Sequence, residues 1–120
     1  MNDSIVFIYI IYLSTGEGEA PQITKKLQFI KSQINGIFEE SDSAGMTITA
    51  TGSIPLTYTW EKDGTVVGDN KNFYIISKAQ ISDTAIYRCI VSNQFGSVRS
   101  LPLNLRVKGN ALSMTSFIYL

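Results

Sequence analysis

The fold of this chain is constrained most by a series of short segments rich in β-branched and aromatic residues. Between residues 23 and 107 these segments follow one another closely, and none shows the 3.6-residue period of an amphipathic helix. They are Ile23–Ile30, Ile34–Phe38, Met46–Thr51, Leu56–Glu61, Asn72–Ser77, Thr84–Ser92 and Val98–Val107. Strands at this spacing, separated by turn residues, predict an all-β sandwich or barrel.

The alternation of side chains within these segments indicates which faces are buried. Apolar and threonine residues alternate through Met46–Ala50, so the two sets point to opposite faces of the sheet. By the same period of two, Tyr87 and Cys89 share an apolar face and Arg88 points outward. The dipeptide Asp63-Gly64 tolerates the positive φ angles of a two-residue hairpin. We therefore expect sheets with one buried and one solvated face.

The charge balance and the absence of histidine exclude several classes of function. Ten Lys and Arg residues balance ten Asp and Glu residues, and the chain contains no His. A net charge of zero gives no long-range attraction to phosphate backbones, so we expect no nucleic-acid partner. Without His, the commonest general base and metal ligand are missing, together with every Ser-His or Cys-His pair. We therefore predict a protein that is not an enzyme and that has no cofactor.

The single cysteine and the few charge clusters favour structural roles. Cys89 cannot form an intrachain disulfide or a thiolate zinc site, and its place on an apolar face indicates a buried, unreactive thiol. The acidic segment 39–42 lacks the spacing of a calcium loop and is interpreted as a solvated loop, so we predict no metal site. Lys25, Lys26 and Lys31 are interpreted as edge-strand charges that oppose aggregation.

The chain divides into three predicted parts. Ile5–Leu13 is a continuous apolar run of nine residues, too short for a membrane span, which needs about 20. The residues before it are acidic, unlike those of a secretory signal peptide. A polar Gly/Pro linker follows, so residues 1–20 are predicted to be an apolar strand with a linker that acts as an assembly arm. Residues 21–108 form the β-sandwich domain, and residues 109–120 form an apolar tail.

The sandwich segment resembles the immunoglobulin superfamily over about 85 residues, and the residues that carry the resemblance lie between Trp60 and Ser97. Trp60 matches the tryptophan of the family's strand C, and Asp83–Cys89 matches its Asp-x-Gly/Ala-x-Tyr-x-Cys signature at the start of strand F. The resemblance implies an immunoglobulin-like Greek-key β-sandwich in which Tyr87 forms the tyrosine corner. It also implies that Asp83 caps the turn before strand F, and that Cys89 packs against Trp60 and Ala50.

The resemblance leaves two subtypes open. It places the family's strand-B cysteine at Ala50, so the inter-sheet disulfide cannot form. The phrase from Ala50 to Trp60 is similar to disulfide-free immunoglobulin-like domains of bacterial surface proteins and phage virions, which we expect to be the closest type. Muscle-type and adhesion domains of animal proteins are the alternative.

Three functions follow from this resemblance. The first is a phage virion protein that decorates a capsid or tail, contacts other protein subunits and binds weakly to a cell-surface glycan or protein. The alternative is an extracellular or muscle-type immunoglobulin domain, present as a fragment of an animal protein. A carbohydrate-binding accessory domain of an enzyme would need an exposed aromatic platform, which Tyr58 and Trp60 cannot supply if they face the core. The first function places the protein on a virion surface, and the alternative places it outside the cell.

The apolar ends of the chain are open to three interpretations. They could dock as added strands on another subunit, with the arm contacts formed by alternate residues. They could pair with each other beside the sandwich, or they could be a fragment or gene-boundary artefact without a role. We rank these in the order given, because an exposed apolar run is an aggregation hazard. The predicted assembly residues are Ile5, Phe7, Tyr9, Ile11 and Leu13.

Overall fold

A computed structural model of the chain describes residues 18–31 and 33–109. The predicted assembly residues Ile5, Phe7, Tyr9, Ile11 and Leu13 lie outside these ranges, as does the apolar tail beyond Gly109. The assignment of an arm to residues 1–20 and of a tail to residues 109–120 therefore stays a prediction.

The described residues form nine β-strands and two short 3-10 turns, with no α-helix among them. This confirms the prediction of an all-β sandwich. The strands are β1 (Gln22–Phe29), β2 (Ile37–Glu39), β3 (Ala44–Thr51), β4 (Thr57–Lys62), β5 (Thr65–Val67), β6 (Phe73–Ile76), β7 (Ala85–Asn93), β8 (Gly96–Arg99) and β9 (Leu103–Lys108).

The strands divide between two sheets with crossed connections. One sheet has the order β1-β3-β6, and the other has the order β2-β9-β7-β4-β5, with β8 also paired to β7. The chain crosses to the larger sheet for β2 and returns for β3, and it changes sheet again between β3 and β4, between β5 and β6, and between β6 and β7. Neighbours such as β4 and β7 are therefore distant in sequence, which is the Greek-key arrangement. Each sheet turns its apolar face toward the other.

The core between the sheets is built from the alternation seen in the sequence. Met46 and Ile48 on β3 are fully buried, whereas Thr49 between Ile48 and Ala50 is exposed. On β7, Tyr87, Cys89 and Val91 are fully buried. Other large side chains in the core are Leu27, Phe38, Trp60, Leu105 and Val107. Because strand side chains alternate with a period of two, these residues leave the intervening positions free to form the outer faces.

Three segments differ from the sequence prediction. Strand β5 was missed, because its three residues are too few to show alternation. Residues Ile34–Gly36 form a 3-10 turn, with Asn35 and Gly36 at positive φ, and the strand begins only at Ile37. The predicted strand Val98–Val107 is divided into β8 and β9 at residues 100–102. Turn chemistry and tertiary contacts decide these local departures.

The two ends of the described chain lie at opposite poles of the sandwich. At one pole, the carbonyl of Glu19 accepts hydrogen bonds from the Asn93 side chain at 2.7 Å and from the Ser53 backbone at 3.0 Å. At the other pole, the carbonyl of Lys108 accepts from the Glu40 backbone at 3.1 Å. The nine residues of β7 run between these poles and span about 30 Å. Glu19, inside the predicted linker, is thus held on the domain.

Candidate interaction surfaces and the framework that holds them

Trp60 and Cys89 form the centre of the core. They are directly opposed on the antiparallel strands β4 and β7, and both side chains are fully buried. The indole N–H of Trp60 donates to the carbonyl of Lys71 at 2.7 Å, and its ring stacks on Tyr74 with centroids 5.8 Å apart. Burial raises the pKa of the Cys89 thiol to about 12, although a hydrogen bond with the Thr59 backbone acts in the opposite direction. The thiol is therefore protonated at neutral pH and is no nucleophile.

Ala50 does not occupy the fully buried position that the resemblance assigned to it. Its side chain is partly exposed and packs at the edge of the core, whereas Ile48, two residues earlier on the same face of β3, is fully buried. A residue that replaces one half of an inter-sheet disulfide must lie deep between the sheets. Burial therefore favours Ile48 as the residue facing the Cys89 layer, and its large side chain fills the space by packing alone.

Tyr87 and Asp83 close the turn before β7. The hydroxyl of Tyr87 donates to the carbonyl of Asp83 at 2.7 Å, and the Asp83 carboxylate accepts from the Gln80 backbone at 2.8 Å. Lys62 reaches the same turn, with its Nζ 2.8 Å from the carbonyl of Ser82. Burial raises the pKa of Tyr87 well above its usual range, because the charged form is disfavoured away from water. Tyr87 and Asp83 thus stabilise the backbone of this turn through hydrogen bonds, and neither has a reactive role.

We expect Tyr87→Phe to lower the free energy of unfolding by about 1–3 kcal/mol, because the partly buried carbonyl of Asp83 loses its donor. Tyr74→Phe is the matched control. The Tyr74 ring packs against the same core, but its hydroxyl makes no hydrogen bond to another described residue. Urea denaturation followed by circular dichroism measures both variants. Equal stability of the two variants would show that the Tyr87 hydroxyl does not hold the turn.

The acidic segment 39–42 is used to build a turn. The Asp42 carboxylate accepts from the Glu39 backbone at 3.1 Å, and the Glu39 carboxylate lies 3.8 Å from Nζ of Lys108. Within residues 18–31 and 33–109, no three His, Cys, Asp or Glu side chains come together to hold a metal ion. The same part of the chain contains no helix long and apolar enough to cross a membrane.

The outer face of the larger sheet carries all the arginines of the chain. Arg88, Arg99 and Arg106 are the only arginines in the sequence. Arg99 lies opposite Ile90, and Asn104 lies opposite Ile86, so the register places all three guanidinium groups on the side away from the core. We call this surface the arginine face. Its outward residues are Glu61, Ile86, Arg88, Ile90, Arg99, Asn104 and Arg106.

A cleft of about 270 Å³ lies in the arginine face beside the β4–β5 hairpin. One carboxylate at the cleft, that of Glu61, lies 3.0 Å from the guanidinium of Arg99, whose side chain reaches across β7. A second carboxylate, that of Asp63, accepts from the backbone of Ile86 at 2.9 Å. Arg88 is partly buried, and its guanidinium makes no ion pair or hydrogen bond to any other described residue. The residues around this Arg88 cleft are Glu61, Asp63, Gly64, Ile86, Arg88 and Arg99.

The smaller sheet exposes an apolar patch at its outer face. Ile30 and Ile75 flank Gly45, whose missing side chain leaves room for them, and Phe73 lies two residues before Ile75 on the same face. These three side chains are 42–57 % exposed. The ammonium of Lys71 lies over the Phe73 ring, 5.6 Å from its centroid. The patch is a second surface available to a neighbouring protein. Unlike those of the arginine face, its three side chains are all apolar.

Sequence reasoning located the framework better than it located the surface. It identified Trp60, Tyr87, Cys89 and Asp83 from their spacing, and it placed Arg88 outward by alternation. It did not connect Arg88 with Arg99 or Arg106. The available signal was compositional, since all the arginines fall within the last third of the chain.

A sandwich with a tightly packed centre, a tyrosine-closed turn and two exposed sheet faces defines a recognition or structural module of the immunoglobulin-like class. The family profile described as "Immunoglobulin domain" matches residues 23–107. The chain therefore belongs to the immunoglobulin domain family. Enzymes are not typical of this family, and its domains mediate protein–protein interaction.

Comparisons with known proteins identify relatives of animal origin. Human protogenin is 24 % identical over 92 residues, which cover 67 % of this chain and 8 % of protogenin. Human hemicentin-1 is 39 % identical over 54 residues, which cover 38 % of this chain and 1 % of hemicentin-1. A solved structure of Sidekick-1 immunoglobulin domains 1–5 has a TM-score of 0.65 and 25 % identity, and the match covers 75 % of this chain and 18 % of that one. The chain thus spans a small part of each of these three proteins.

Proposed function

We propose that this chain is a non-enzymatic, protein-binding immunoglobulin domain of an extracellular animal protein, and that it acts as one unit of a larger array. The match to human relatives favours this alternative over the virion protein. The small fraction of each relative that the chain covers supports a repeated module. The fold of the family supports binding through sheet faces and loops rather than catalysis.

The single observation that carries the proposal is the position of the two ends of the described domain, at Glu19 and Lys108. Glu19 is held at one pole of the sandwich and Lys108 at the other, at opposite ends of β7. A domain with its ends at opposite poles can be joined head to tail to neighbours without folding back on itself. Both outer faces then stay accessible along the array.

The virion hypothesis receives no support from the comparisons, and with it the virion surface loses its basis as a location. The proposed division into an arm (1–20), a domain (21–108) and a tail (109–120) is independent of that choice. In an array, the apolar arm and tail would contact adjacent protein, which is the same physical role as docking on another subunit.

Surface labelling and an immunoblot with an antibody raised against the full chain test the proposal. Intact cells that produce the protein are treated with a membrane-impermeant biotin reagent, and a cytosolic protein serves as the unlabelled control. We expect the antibody to detect a biotinylated polypeptide far larger than 13.3 kDa. A polypeptide near that mass that sediments with virus particles would contradict the proposal. Labelling only after permeabilisation would favour a muscle-type protein instead.

A further inference from the structure

The arginine face contains a basic group that the fold does not use. Arg88 lies opposite Glu61 on the neighbouring strand, yet the Glu61 carboxylate pairs with Arg99 at 3.0 Å. The side chain of Glu61 is only 16 % exposed, so this acid is enclosed by its existing contacts. The Asp63 carboxylate is likewise occupied by the Ile86 backbone at 2.9 Å. One oxygen of each acid in the cleft thus contacts a group other than Arg88, and no described residue accepts a hydrogen bond from the Arg88 guanidinium.

The composition of the cleft selects one kind of ligand. Arginine presents a planar set of N–H donors that matches a carboxylate in two parallel hydrogen bonds. Ile86 beside it is 46 % exposed, and Val66, across from Glu61 on the neighbouring strand, is 65 % exposed. The exposed side chains of Ile86 and Val66 would contact the methylene groups of an acidic side chain bound to Arg88. A partly enclosed cleft strengthens the charge interaction relative to open solvent.

The same charges argue against a polysulfated glycan. A dense polyanion needs several uncompensated cations in reach of one another. Within the cleft, Arg99 is already paired, and Glu61 and Asp63 would repel additional anionic groups. Arg106, the remaining cation of the arginine face, is not among the residues of the cleft. One unpaired cation fits one carboxylate.

From these contacts we infer that the Arg88 cleft is a docking site for a partner protein, in which Arg88 binds the carboxylate of a single acidic side chain flanked by aliphatic residues. The inference rests on the proposed function, because it defines the partner surface of a protein-binding module. The paired Arg99 and Glu61 side chains line the cleft. The Asp63-Gly64 turn of the β4–β5 hairpin lines it as well.

Nuclear magnetic resonance on the full ¹⁵N-labelled chain tests the inference. The probe is a blocked pentapeptide with a central glutamate between two valines, and the matched peptide carries glutamine instead. We expect the Nε–Hε signal of Arg88 to shift and saturate with the glutamate peptide alone. Arg88→Gln should weaken binding about tenfold, the effect of losing a charge-assisted hydrogen bond. Arg106→Gln, on the same face but outside the cleft, should change binding by less than about twofold.

Several results would overturn the inference. These are an equal response to both peptides, a uniform shift of all arginine and lysine signals, no shift at all, or binding of a heparin octasaccharide without binding of the glutamate peptide. The amide spectrum of Arg88→Gln checks that the variant is folded. Failure of the peptide experiment leaves the surface-labelling result unaffected, so the proposed function and this inference can fail separately.

Discussion

Replacing Trp60 with alanine is expected to lower the free energy of unfolding by about 3–5 kcal/mol, the usual range for removing a large buried aromatic side chain. Trp60 is fully buried between the sheets, stacks on Tyr74 and donates to the carbonyl of Lys71. The variant leaves a cavity and a carbonyl without its donor. Since small domains are stable by only about 5–15 kcal/mol, this one change removes a large part of the total.

Two further variants separate packing from the general loss of an aromatic ring. Phe73→Ala removes a ring that is 42 % exposed on the outer face, and we expect a loss of less than about 1 kcal/mol. Trp60→Phe keeps most of the core volume but removes the indole N–H, so its stability should fall between those of the wild type and Trp60→Ala. The measurement is urea denaturation followed by far-ultraviolet circular dichroism, because Trp60 is the only tryptophan. Equal losses for Trp60→Ala and Phe73→Ala would refute the central role of Trp60.

Replacing Gly36 with alanine is expected to cost about 2–5 kcal/mol, from the left-handed backbone and from a steric overlap together. Gly36 has φ of +68°, and a Cβ at this position would overlap the backbone carbonyl oxygen of Asn104. Asn104 lies on β9, and β2 begins immediately after Gly36 and pairs with β9 in parallel. The added methyl group therefore forces these two strands apart at the point where the chain enters the larger sheet.

Gly64→Ala provides a matched control for this prediction. Gly64 also has a positive φ, of +85°, but a Cβ there meets no atom within 4 Å. Its loss of stability should be about 1–2 kcal/mol, the cost of the left-handed conformation alone. The difference between the two variants in urea denaturation isolates the contact with Asn104. Identical midpoints for the two variants would mean that this close approach does not restrict the strand pairing.

Local chemistry made much of the fold predictable. A period of two decided which residues of β3 and β7 are buried, and Asp63-Gly64 forms a hairpin with positive φ at both residues. Such features depend on neighbouring residues only. The assignment of Ala50 to the disulfide position was less successful, because alternation places Ile48 and Ala50 on the same face without distinguishing their depth. Depth depends on where the opposite sheet lies, and burial favours Ile48.

The subtype of the family was also beyond the reach of single residues. The missing strand-B cysteine suggested a bacterial or phage domain, whereas the comparisons favour the animal alternative. A buried aliphatic side chain and a buried half-cystine satisfy the same packing requirement, so the absence of one cysteine carries little information about origin. The framework residues Trp60 and Tyr87 are common to both subtypes.

The sequence alone determined that the chain is all-β, that Trp60, Tyr87 and Cys89 lie on inward faces, and that Arg88 points outward. These conclusions follow from side-chain alternation, which is set by the covalent geometry of an extended chain. The arginine face was decided only by the tertiary structure. Arg106 is seven positions after Arg99, an odd number, so a continuous strand would point them to opposite faces. Ser100 pairs with Cys89 on β7, and the register shifts by one residue between β8 and β9. That single extra residue brings both arginines to the face that carries Arg88, because a bulge reverses the alternation that follows it.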